Sequence, residues 1–275
     1  DAMGSLLAVG LALEFLNKKT FLFNESPIPS VYRFLPGIDR IKYEINESHR
    51  FDAAIILDCG TLERIGKYAK AAALIPVIIN IDHHITNTGY GTCPLVDISA
   101  CSTAEIVYRI IKKMNIPVSK AIATSIYTAI LTDTGSFRAS NTNRPAFKIC
   151  EEMIGYGADP YEIAQNVYGK YSLGRIRLLN LALGSIEISD NGKLSMMIIT
   201  RDMLNETGTQ SEDVDGLISY AKRIKGIKVA VVIQKETNSL TDLNGLKNYH
   251  VSLRSDGTVD VTEIALSYGG GGHFS

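Results

Sequence analysis

The chain has 275 residues, 45% hydrophobic and 21% charged, with a formal net charge of −1. That balance excludes a disordered polar chain, and without a basic excess it excludes a protein that grips long nucleic acid through bulk charge. No apolar run approaches the roughly 18 residues of a membrane span, and no leader or metal-type cysteine spacing is present, so the expected setting is cytoplasmic with no membrane partner.

Taken in chain order, Ser5 to Lys19 has the pattern of an amphipathic helix closed by Asn17-Lys18-Lys19, with Asp1 to Ser5 as the loop entering it. Ala53-Ala54-Ile55-Ile56-Leu57 runs into Asp58-Cys59-Gly60, and Val77-Ile78-Ile79-Asn80-Ile81 runs into Asp82-His83-His84. Continuous apolar runs of this length fit parallel strands buried on both faces, with Leu62 to Leu74 as the crossover helix between them. Two parallel strands that each end in aspartate place both carboxylates at one sheet edge, where open α/β sheets bind ligands. Ser102 to Met114 and Lys120 to Leu131 read as helices separated by Pro117, and Pro145 to Leu183 as mostly helical with stops at Gly155, Gly157 and Pro160.

A second region begins near Ser185. Asp190-Asn191-Gly192 predicts a hairpin turn between Ile186-Glu187-Ile188 and Leu194 to Thr200. Lys228 to Gln234 and Tyr249 to Arg254 add strands, with a turn at Asp256-Gly257. The expected fold class is α/β. A parallel-sheet domain with helices on both faces spans residues 1–185, and a smaller α/β domain spans 186–275.

Consecutive ionisable residues at the end of a buried strand are costly unless each has a partner, so Asp82-His83-His84 reads either as a ligand cluster or as a solvated turn. Asp58 is a helix N-cap or a second carboxylate at the same edge. Asp1 is a frayed terminus or a third carboxylate. Asp133 precedes Thr134-Gly135-Ser136-Phe137 at a helix C-terminus, where an acid meets partial negative charge unless a cation lies near; the alternative is a turn through a left-handed Gly135. Carboxylates with imidazoles and no cysteine pair suit a hard-to-borderline divalent ion, and paired ions about 3.5–4 Å apart serve phosphoester hydrolysis. Gly269-Gly270-Gly271-Gly272-His273 is a phosphate-binding backbone or a flexible tail, and Arg254 a phosphate clamp or a surface charge.

Together these segments resemble the DHH-family phosphoesterases over nearly the whole length. Asp82-His83-His84 matches the eponymous motif, Leu57-Asp58-Cys59-Gly60 the motif before it, Asp133-Thr134-Gly135-Ser136-Phe137 the fourth, and Gly270-Gly271-Gly272-His273 the signature of the C-terminal substrate-binding domain. The form of these motifs is most similar to the branch of bifunctional oligoribonucleases and 3′-phosphoadenosine-5′-phosphate phosphatases.

The resemblance implies a catalytic group of Asp58, Asp82, His83, His84 and Asp133, and two Mn²⁺ ions, with Mg²⁺ or Co²⁺ as substitutes. Asp58 would bridge the ions; Asp1, His83 and Asp133 would complete the ligands of one of them. His84 would contact the scissile phosphate, and Asp82 would orient a histidine. Arg254, Gly271, Gly272 and His273 would hold the far phosphate or base. The expected ligands are short oligonucleotides or small nucleotides, and a homodimer is compatible with the resemblance. The alternatives are a cyclic-di-AMP or linear dinucleotide phosphodiesterase, an inorganic pyrophosphatase, and a nucleotide-binding regulatory module without turnover. The family's first motif begins with a His and an Asp upstream of the carboxylate matched by Asp1, so the expectation is a fragment lacking an N-terminal strand and the C-terminal end.

Overall fold

A computed structural model describes residues 1–46, 49–169, 171–235 and 249–270. The chain forms two compact units, Asp1–Lys170 and Tyr171–Ser275.

In the first unit, β1 (Ala53–Leu57), β2 (Val77–Asp82) and β3 (Cys93–Val96) form a parallel sheet in the order β1-β2-β3. Leu57 pairs with Ile81 and Asp82 with Val96, so the strand ends lie level. β3 was not expected from the sequence, and its Pro94 is tolerated because the strand lies at the sheet edge. β1 is only half-buried, rather than enclosed on both faces as its apolar run suggests, since it occupies the other edge. Ile106 from α3 (Thr103–Lys113) covers the sheet through Ile81 and Ala100.

Most of the core lies between helices. Ala8 and Ala12 of α1 (Ala2–Phe15), Val107 and Ile111 of α3, and Ile126 and Ile130 of α4 (Lys120–Asp133) pack together. α5 (Arg144–Gly155) and α6 (Pro160–Tyr168) complete this layer through Met153 and Ile163. α1 is not the amphipathic Ser5–Lys19 helix of the sequence reading. It starts at Ala2, and Leu7 faces a different apolar cluster, with Leu22 and Leu35, so it is buried on more than one side. Gly4 permits this: a Cβ there would lie 2.3 Å from the Ser125 carbonyl oxygen and 2.8 Å from Ala129 Cβ. α1 and α4 therefore touch backbone to side chain without intervening bulk.

The expected crossover helix over Leu62 to Leu74 is also corrected. A 3₁₀ turn at Leu62–Tyr68 is kinked at Gly66 (φ 78°), followed by the single-turn α2 (Ala69–Ala72). Glu25 reaches in at the kink, where its carboxylate accepts from Lys67 N at 3.3 Å, and any Cβ on Gly66 would collide with it.

The second unit includes α7 (Leu173–Gly184), whose Leu178 and Ala182 pack against Met197 and Ile199. Its mixed sheet has the order β4-β5-β6-β7, formed by Glu187–Ile188, Leu194–Ile199, Val229–Lys235 and Tyr249–Ser255. The β4–β5 hairpin turns at Gly192 (φ 67°), as Asn-Gly predicts, and β5 and β6 are parallel. α8 (Arg201–Thr207) and α9 (Ile218–Lys222) cover one sheet face through Leu204 and Ala221, and α10 (Val261–Ser267) follows β7. No helix among the described residues is long and apolar enough to cross a membrane.

Candidate metal centre

The site grows from chain ends that the core fixes. Leu57 and Ile81 pack in apolar clusters beneath the strand tips, which carry Asp58 and Asp82 to the same edge. Asp58 is left-handed (φ 57°), and its Oδ1 accepts from the Thr103 hydroxyl at 3.1 Å. The N-cap of the following turn is Thr61, so Asp58 is not a helix cap.

Asp1 lies against the start of α3. Its Oδ2 accepts from Thr103 N at 2.6 Å, and its Oδ1 accepts from Ala104 N at 3.2 Å and from the Ser5 hydroxyl at 2.9 Å. A helix N-terminus favours an anion, so Asp1 is anchored there rather than frayed. Asp133 ends α4. The chain then turns through left-handed Gly135, Ser136 and Phe137, so the turn and a carboxylate facing His83 coexist.

His83 is the hub. Its Nε2 lies 3.8 Å from Asp1 Oδ2, 3.8 Å from Asp58 Oδ1 and 3.5 Å from Asp133 Oδ2. Its Nδ1 lies 3.2 Å from the Ala100 carbonyl oxygen, an acceptor only, which places a proton on Nδ1 and aims Nε2 at the carboxylates. A metal-binding imidazole is commonly fixed in this way. Candidate ligand atoms of Asp1, His83 and Asp133 lie within 4.8 Å of one another, as do those of Asp58, His83 and His84. Oxygen-rich donors with imidazole suit divalent ions of hard or borderline character.

Electrostatics divides the cluster. Burial works against a charge on Asp82, but hydrogen bonds from His84 and Asn87 outweigh it and hold its pKa below the usual value. Burial likewise opposes a charged His84, yet its 2.7 Å hydrogen bond to Asp82 and that residue's charge hold the imidazole pKa above the usual histidine value. For Asp133 burial dominates and pushes the carboxyl up, with the nearby His83 only partly offsetting it.

Several supporting residues escaped the sequence reading. Asn141 Nδ2 donates to Asp133 Oδ2 at 3.0 Å and to the Cys101 carbonyl at 2.8 Å, tying the end of α4 to the loop before α3. Asn87 Nδ2 donates to Asp82 Oδ2 at 2.6 Å. Thr103 serves Asp1 and Asp58 together. Asn80 carried a signal: an amide inside an apolar strand demands partners.

Arg254 sits on exposed β7 in the second unit and donates to its neighbour Leu253's carbonyl at 2.8 Å. His250 lies on the same sheet face, and both residues, with Arg175, fall within electrostatic range of the Asp215 carboxyl. Gly270 N donates to Ala265 O at 2.8 Å, while Gly271, Gly272 and His273 lie outside the described residues.

Residues 1–130 match the model of the DHH family, N-terminal domain, and residues 193–275 match that of the DHHA1 domain. The chain is 30% identical over 276 residues to a "Bifunctional oligoribonuclease and PAP phosphatase NrnA" of Thermus thermophilus, covering 99% of this chain and 78% of the relative. It is 29% identical to the protein of the same name from Bacillus subtilis, covering 99% and 83%. The crystal structure of an exopolyphosphatase-related protein from Bacteroides fragilis superimposes with a TM-score of 0.88 at 25% identity, covering 100% of this chain and 82% of the other.

Proposed function

The chain belongs to the DHH–DHHA1 phosphoesterases, and within that family we propose that it is a metal-dependent phosphodiesterase that releases nucleoside 5′-monophosphates from short oligoribonucleotides and removes the 3′ phosphate of 3′-phosphoadenosine-5′-phosphate. The observation that carries this reading is the convergence of Asp1, Asp58 and Asp133 on His83 Nε2, in a chain similar along almost its whole length to proteins named for those activities.

Asp1, Asp58, His83 and Asp133 would hold divalent ions, with Mn²⁺ as the proposed species. Bound ions would supply Lewis acidity and neutralise charge building on the phosphoryl group. The protein's own residues do the rest. Asp82 fixes the His84 ring by its Nδ1, so the imidazole would present Nε2 to a phosphate oxygen as a charge-bearing donor. The α3 N-terminus and Thr103 hold Asp1 and Asp58 in place before any ligand arrives, which limits reorganisation during reaction. Arg254, Gly271, Gly272 and His273 would recognise the substrate's other phosphate or its base. A cytoplasmic setting fits such substrates, and the near-neutral net charge fits a few placed contacts rather than a long basic track.

The test is a panel of a dinucleotide, a 20-mer, 3′-phosphoadenosine-5′-phosphate and a cyclic dinucleotide, each incubated with the protein and Mn²⁺. Rapid monophosphate release from the dinucleotide and phosphate release from 3′-phosphoadenosine-5′-phosphate are expected. Fast cutting of the 20-mer with indifference to the dinucleotide rejects the short-substrate reading.

A further inference from the structure

Between the two strand tips lies an amide network that the ligand set does not account for. The Asp82 Oδ1 atom accepts from His83 N at 2.8 Å, His84 N at 3.3 Å and His84 Nδ1 at 2.7 Å. Its other oxygen, Oδ2, accepts from Asn87 Nδ2 at 2.6 Å. The same Asn87 nitrogen reaches the Cys59 carbonyl at 3.3 Å and Asn80 Oδ1 at 2.8 Å. Asn80, fully buried, donates in turn to the Cys59 carbonyl at 3.2 Å and to the Tyr90 hydroxyl at 3.1 Å, and that hydroxyl also donates to Cys59 O at 3.0 Å. Cys59 follows the left-handed Asp58.

We propose that Asn87 is a positioning residue for the phosphate-contacting imidazole, locking Asp82 so that its charge faces His84 while tying the Asp58 tip to the same scaffold. The proposal rests on the phosphodiesterase reading above. Two features separate it from ordinary loop anchoring. First, a carboxylate held at Oδ1 alone can still swing Oδ2 about that atom and so change the direction from which it accepts the His84 Nδ1 bond; a second contact at Oδ2 removes that freedom. Second, the donor is neutral. An amide holds Oδ2 at 2.6 Å while adding no charge to the cluster, so its contribution is geometric. Asn87 is part-exposed in its loop, so its truncation is tolerated more readily than that of buried Asn80.

The experiment compares wild type with Asn87→Ala and Asn87→Asp, each first checked for folding by its melting transition. On a dinucleotide with Mn²⁺, Asn87→Ala is expected to lower kcat about 10–100-fold, the range for supports of metal-site residues, with little change in KM. Asn87→Asp, which sets a like charge against Asp82, is expected to lose more. In the metal-free protein, long-range ¹H–¹⁵N spectra are expected to show the His84 imidazole signals displaced while those of His83, anchored on Ala100 O, stay in place. A folded Asn87→Ala protein with wild-type kcat, or with unmoved His84 signals, overturns the proposal. If wild type hydrolyses none of the panel substrates, the functional reading fails, and the spectra still decide what Asn87 does to His84.

Discussion

The β2 tip and the α4 end each contribute an aspartate within reach of the paired histidines, yet folding treats the two differently. Asp82 is fully buried and receives four hydrogen bonds, from two backbone amides, an imidazole and the Asn87 amide, so it stays ionised despite its surroundings. The Asp133 side chain is 18% exposed, accepts from Asn141 among the described residues, and is pushed toward its neutral form by burial. One carboxylate has its charge answered by the protein itself. The other has a deficit that a nearby cation would remove.

Neutralising each acid gives the largest expected contrast. In metal-free protein, Asp82→Asn is expected to cost about 3 kcal/mol, because donors arranged around a buried anion lose it. Asp133→Asn is expected to leave stability unchanged or raise it, since it relieves a buried charge. With Mn²⁺ at 100 times its dissociation constant, wild type gains about 2.7 kcal/mol, and Asp133→Asn forfeits most of that gain. Denaturant melts with and without the ion measure all these quantities. Loss of similar size at both positions without metal would erase the distinction.

A smaller effect sharpens the Asp133 side alone. Asn141 joins Asp133 Oδ2 to the Cys101 carbonyl, beside the α3 N-terminus that holds Asp1. Asn141→Ala is expected to weaken Mn²⁺ binding about 10–100-fold in calorimetry while leaving the metal-free melt within about 1 kcal/mol. Unchanged affinity would mean that the α4 backbone positions Asp133 without help.

How much of this was legible follows from how local each signal is. Asp58 and Asp82 could be read because apolar runs of fixed length carry them to one edge, and Asp133 because an acid at a helix C-terminus conflicts with the local dipole. Asn80 could have been read, since an amide in the Val77–Ile81 run has to be satisfied. Asn87 could not: within Thr86-Asn87-Thr88-Gly89 it looks like a turn former, and its contact with Asp82 exists only once the loop folds back. The same holds for the broken crossover. The 62–74 pattern is helical, but Gly66 takes a positive φ that breaks it, and Glu25, distant in sequence, fills the space beside that glycine. For α7 the periodicity shows that one side is buried without saying against which unit.

The third strand tip supplies the control with the smallest effect. Asp97 follows β3 as Asp58 follows β1, but among the described residues no imidazole is paired with it. Its carboxylate accepts from the Ser99 hydroxyl at 2.6 Å and from Arg109 at 2.5 Å, and these partners, Ser99 foremost, lower its pKa to about 2. A depressed carboxylate stabilises the fold above the unfolded value of 3.8, and that contribution fades as pH falls from there toward 2. The Asp97 side chain is 29% exposed and its arginine partner 48%, so solvent screening limits the contribution to about 1 kcal/mol or less. Asp97→Asn is therefore expected to lower stability at neutral pH by that small amount, to differ less from wild type near pH 2.5, and to bind Mn²⁺ as wild type does. Weakened Mn²⁺ binding in Asp97→Asn would show that position at the sheet edge is sufficient, with no need of a facing imidazole.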